Sequence, residues 1–176
     1  MSHSSITKFI NTINSCIGNE KIIINENNNR VKCLICRHKP STTINDYIKR
    51  IFKSEIIDEE NYDAIILHTI NLLQYLKTKG IYLNYYSCHR ILSTLIMLSS
   101  KIIEEYPYSN WYWATLCGVS LEDMNMMERS LMQILDYNLH IIITQNKPLI
   151  FIKAYTKSHN SLKYNKKTQK IGEIIK

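Results

Sequence analysis

SCHRILSTLIMLSSKIIEEYPYSNWYWATLCGVSLEDMNMMERSLMQILDYN, residues Ser87 to Asn138, reads as three consecutive helices with clear stops between them. Ser87 is a good N-cap, and Ile91, Leu95, Leu98 and Ile102 recur at helical spacing behind it. This helix is apolar almost all round, so it should lie at the centre of a bundle, and Pro107 ends it. A short helix can run from Asn110 as cap to Cys117, with Gly118 at its C-terminus. The next begins at a Ser120 cap with Asp123 completing a capping box, and Leu121, Met124, Leu131 and Leu135 form its stripe. Two charges stand out of place. Lys101 lies in the last turns of the most hydrophobic helix, and Glu128 interrupts an otherwise apolar stripe. A carboxylate there is costly unless it is paired, or lies at a rim that a partner covers. Read singly, Lys101 is a cation at a helix end and Glu128 a surface residue at a stripe edge. Read together, they put a cation and an anion of neighbouring helices on one surface, ready to bond an incoming backbone or helix.

Upstream, two more helices are expected. Thr43 with Asp46 resembles a capping box, and Ile44, Tyr47, Ile48, Ile51 and Phe52 follow along one face. A second begins near Asp58, with Glu59 and Glu60 at the positive end of its dipole. Its stripe is Tyr62, Ile65, Ile66, Thr69, Leu73 and Leu76, and Gly80 stops it. Residues 1–40 are Asn-rich and poorly patterned, which suggests a loosely attached, partly ordered arm with room for one short helix. Pro148 to Tyr155 is compatible with a further helix. The expected fold is all-α: five or six helices around the third, in one domain of 176 residues.

Composition narrows the function. Hydrophobic residues make up 45% of the chain, with 4 Gly and 3 Pro, which favours a helical protein over a turn-rich β-fold. No apolar run approaches a membrane span, and the N-terminus lacks the pattern of a secretory signal. Five scattered cysteines agree with a reducing compartment, so an intracellular protein of cytoplasm or nucleus is expected, without membrane contact. Residues 1–146 carry equal numbers of basic and acidic side chains, and the net charge of +7 sits entirely in residues 147–176. A solvated basic tail explains this better than nucleic-acid binding does. Cys33-Leu-Ile-Cys36 with His38 has half of a zinc-site spacing, but no second pair follows, so neither metal nor cofactor is expected. There is no Ser/His/Asp or Cys/His arrangement, Gly-rich phosphate loop or catalytic carboxylate pair, so the chain is not expected to be an enzyme.

In order, these segments resemble the cyclin box of the P-type cyclins, the phosphate-pathway group that includes the plant U-type cyclins. SCHR matches that family's NxHR, SSK its AAK or ASK, and YSNWYWATLCGVS its YxNxxYAKVGGIS. LEDMNMMERSL matches LxEMNxLExxFL, and TINDYIKRIFK resembles SIxDYLxRIxKY. The resemblance covers about Ser41 to Ile142, within a box at 41–142 flanked by the arm (1–40) and a C-terminal helix with basic tail (143–176). It implies a five-helix bundle that binds and activates a cyclin-dependent protein kinase by pressing the kinase αC helix inward. The family's kinase-binding Lys and Glu fall on Lys101 and Glu128, and an Arg of the first helix on Arg50. Acidic residues after the Lys, which in some pairs meet an activation-segment Arg, fall on Glu104 and Glu105. Asn71 and Leu72 stand where the family has an Asp–Arg pair, which weakens the partner expected for Arg50, and Val119 replaces a family Gly. The protein should be a monomer apart from its kinase. The alternative is a cyclin-fold adaptor that binds nucleic acid or transcription machinery through the lysine tail.

Overall fold

The helix with the longest apolar run is the centre of the molecule. The computed structural model describes residues 2–18 and 29–139; the expected helix at 148–155 and the lysine tail lie outside them. Seven α-helices occur among the described residues: α1 (Ser2–Cys16), α2 (Asn29–Lys32), α3 (Ile44–Phe52), α4 (Tyr62–Thr78), α5 (Cys88–Ile103), α6 (Asn110–Cys117) and α7 (Leu121–Ile134). A 3₁₀ turn, Glu59–Asn61, leads into α4. The pairing of extended backbone among these residues is a single isolated bridge, Gly18 with Asn84. Helix α5 packs against α3, α4 and α7 and buries every residue from Cys88 to Ser100 except Arg90. Its small hydroxyl side chains let neighbours approach closely and are all satisfied. Thr94 donates to the Arg90 carbonyl at 2.8 Å, and Thr69 of α4 donates to Ser99 at 3.0 Å.

The caps follow local chemistry. Thr43 Oγ1 accepts from the Asp46 amide at 3.1 Å, and Ser120 Oγ from the Asp123 amide at 3.0 Å. Gly118 ends α6 in the left-handed region (φ 70°), where a side chain would be strained. Other expectations need correction. Ser87 holds the N-cap position of α5, its carbonyl accepting from the Ile91 amide, but its hydroxyl accepts from the Asn84 amide rather than from the helix. Helix α5 ends at Ile103, before Pro107, because Glu104 is already extended. Ile102 and Leu121, expected in buried stripes, are 40% and 42% exposed, whereas Met127 is fully buried.

The largest departure is at the N-terminus. Where a loosely attached arm was expected, α1 is a fifteen-residue helix packed on α3 and α4. Ile6, Phe9, Ile10 and Ile13 are buried, and the Phe9 and Phe52 rings meet edge-to-face at 6.0 Å. These four residues follow helical spacing, a signal masked by the surrounding Asn, Ser and Thr. Beyond α2, the Cys36 amide donates to the Tyr86 carbonyl at 2.7 Å, and Arg90 donates to the Cys33 carbonyl at 2.8 Å. Both bonds hold the segment after α2 against the start of α5.

His89, in the first turn of α5, supplies a third tie. Its Nε2–H donates to the Thr42 carbonyl at 2.9 Å, and its Nδ1 lies 3.3 Å from the Cys88 thiol. Burial holds the imidazole below its ordinary value of 6.5 and keeps it neutral. The unfolded chain therefore takes up this proton first as pH falls. The stabilising contribution is complete above the unfolded pKa and is lost as pH drops toward the folded one. In urea titrations, the wild type should lose stability more steeply than His89→Gln between about pH 7 and about pH 5. Parallel profiles would contradict this assignment.

Candidate functional site

Lys101 and Glu128 meet. Helices α5 and α6 both pack on α7, so the last turn of α5, the first of α6 and the middle of α7 converge. There Lys101 Nζ donates to Glu128 Oε1 at 2.6 Å, with the two side chains 28% and 23% exposed. Asn110 completes a triangle. Its carbonyl oxygen accepts from Lys101 Nζ at 2.5 Å, and its Nδ2 donates to Glu128 Oε2 at 2.6 Å. Nδ2 also approaches Asn125 Oδ1 at 2.7 Å. A part-exposed ion pair of this kind adds only about 1 kcal/mol or less to stability. Its larger effect is to fix a cation and an anion side by side at a rim. An ammonium has three donors and a carboxylate about four acceptor sites, so both keep hydrogen-bonding capacity beyond the triangle. The arrangement can receive a polypeptide segment that offers a carbonyl to Lys101 and an N–H to Glu128.

Asn110 is the site residue that sequence reading misplaced. Its spacing suits an α6 cap, but Ser109 holds that position, in extended conformation, and Asn110 is the first helical residue. A serine directly before it was the available signal, since Ser is itself a preferred cap and leaves the Asn amide spare.

Aromatic side chains flank the triangle in sequence. Trp111 is 57% exposed and Tyr112 47%, with their rings edge-to-face at 4.9 Å; Tyr108 meets Tyr112 at 5.1 Å. Trp113, by contrast, is fully buried. Exposed Ile102 follows Lys101. Exposed amphipathic rings are typical of a surface that another protein covers.

The remaining residues divide. Glu104 is buried and turned inward: Oε1 accepts from the Asp58 amide at 2.9 Å and Oε2 from the Ser100 hydroxyl at 2.7 Å. It fastens the end of α5 to the turn before α4, and burial removes it from a partner's reach. Glu105 is exposed. Arg50 is exposed on α3 with its guanidinium 5.1 Å above the Tyr47 ring, and it lines a different concavity from the triangle. Burial pushes the Tyr47 phenol well above its ordinary range and the Cys88 thiol up to about 11, so both stay protonated. Cys33 Sγ lies 3.1 Å from the Ser130 hydroxyl, and among the described residues no three His, Cys, Asp or Glu side chains could together hold a metal ion. None of the described helices is long and apolar enough to cross a membrane.

Comparison with known proteins agrees with this architecture. The Cyclin family model matches residues 4–139, which takes in most of α1 as well as the five-helix core. The chain is 29% identical over 109 residues to Cyclin-U2-1 of Arabidopsis thaliana, covering 62% of this chain and 48% of that protein. It is likewise 29% identical over 102 residues to Cyclin-P3-1 of Oryza sativa subsp. japonica, covering 58% and 42%. The chain thus spans about half the length of the curated relatives it matches. With that match over most of its length, and with those relatives, the chain belongs to the cyclin family, among the P- and U-type cyclins.

Proposed function

We propose that the chain is the regulatory subunit of a cyclin-dependent protein kinase, which it binds and activates through the surface of α5, α6 and α7. Membership of the cyclin family supports a regulatory role. The observation that carries the finer reading is the part-exposed Lys101–Asn110–Glu128 triangle, with the exposed rings of Trp111 and Tyr112 next to Asn110 in sequence. In this reading Lys101 and Glu128 bond the kinase backbone that leads into its αC helix. Trp111 and Tyr112 cover the flank of that helix as anchors. Docking then turns αC so that its Glu pairs with the ATP-positioning Lys. Glu105 is the acid placed to meet an activation-segment arginine in place of a phosphate. Arg50 contributes indirectly, by supporting α3.

The test is reconstitution. The full chain should stimulate peptide phosphorylation by at least one of a panel of monomeric cyclin-dependent kinases, saturating at one chain per kinase. Binding without stimulation would reduce the chain to a passive partner, and neither binding nor stimulation across the panel would overturn the reading.

A further inference from the structure

A second concavity, of about 1000 Å³, opens between the segment after α2 and the ends of α3, α5, α6 and α7. The Lys101 triangle takes no part in it. Lys32, Arg37, Lys39 and Arg50 line it, all exposed, together with Arg90. The sole carboxylate in its wall is Asp123, which Arg90 already engages at 3.2 Å. Because residues 1–146 are neutral as a whole, this is a strong local excess. The balancing acids gather elsewhere, at Glu55–Asp63 and at Glu104 and Glu105. Among the described residues Arg37 and Arg50 form no ion pair. Arg50 instead lies over Tyr47, and Lys39 Nζ lies 4.8 Å above the Tyr85 ring.

We infer that this groove is a docking site for a phosphorylated segment of a protein partner. A phosphate carries nearly two negative charges and three acceptor oxygens, which guanidinium forks meet in bidentate fashion. Four exposed cations on one concave wall with one neutralised acid complement that charge. Val119 and half-exposed Met126, also in the wall, offer an adaptable apolar contact for a neighbouring side chain of the peptide. A single-stranded nucleic acid fits less well. Its bases need exposed rings to stack on, but Tyr47 is buried beneath Arg50 and Lys39 lies over Tyr85 beside the groove, which leaves His38 as the exposed ring in the wall. The inference does not depend on the kinase reading: the groove shares no residue with the triangle, and the variant that tests it leaves Arg50, the residue both readings use, in place.

The test uses the full 176-residue chain, so that the lysine tail is present in every arm. Immobilised wild type and an Arg37→Glu/Lys39→Glu variant are each offered a degenerate phosphoserine peptide library, its unphosphorylated counterpart, and a single-stranded oligonucleotide. Both substitutions lie on an exposed segment, and circular dichroism checks the fold. The wild type should retain the phosphorylated library about tenfold more than the unphosphorylated one, and the variant should lose that preference. Equal retention of the two libraries, or a preference unchanged in the variant, would overturn the inference. So would oligonucleotide binding that is tighter than peptide binding and lost in the variant. A folded variant that fails here yet still stimulates a kinase would separate this site from the α5–α7 surface.

Discussion

Replacing Lys101 by alanine, or Glu128 by alanine, is expected to abolish kinase binding and activation while leaving the bundle folded. The two effects differ in size for one physical reason. In the free chain the pair is part-exposed, and Asn110 stays within hydrogen-bond reach of whichever charge remains. Loss of either partner then costs about 1 kcal/mol of stability, visible as a small fall in the thermal midpoint. In the complex the same charges are covered by the partner. Truncating one of them there costs about 2–5 kcal/mol, a weakening of roughly 30- to several-thousand-fold. Titration of the kinase against each variant, with thermal melts run alongside, gives both numbers. Wild-type-like stimulation by both variants would refute the assignment of these two residues.

The second large effect concerns α1. Phe9→Ala should destabilise the chain by about 3–5 kcal/mol in urea unfolding, as expected for truncation of a fully buried aromatic. Phe9 packs on Phe52, whose other neighbour is the Tyr62 ring at 5.2 Å, so a cavity there loosens α1, α3 and α4 together. On a loosely attached arm the same change would fall within about 0.5 kcal/mol of zero. A value that small would show that α1 is not part of the core in solution.

The five-helix core was legible in the sequence because its signals are local and agree with one another. Thr43 and Ser120 cap as their spacing requires, Gly118 takes the left-handed conformation that glycine favours, and the α5 run is too apolar to lie at a surface. The Lys101–Glu128 pair was legible for the opposite reason: each charge conflicts with its own helix, and such conflicts mark surfaces with a use. What was missed depends on contacts distant in sequence. Glu104 reads as a solvated acid at a helix end until the Asp58 amide, 46 positions away, is seen to bond it. Asn110 was assigned to local capping, while its amide spans from α5 to α7. The cations of the second groove are scattered from Lys32 to Arg90 and become one surface only when the segment after α2 lies along α5. Composition also misled: the polar residues of α1 hid four apolar positions at helical spacing.

Amide hydrogen exchange of the full chain, alone and saturated with a kinase that it stimulates, tests the docking surface most directly. New protection is expected at the end of α5, through α6 and along the face of α7 that carries Asn125 and Glu128. Protection confined to α1 and α4, with residues 101–112 exchanging as in the free chain, would contradict the account.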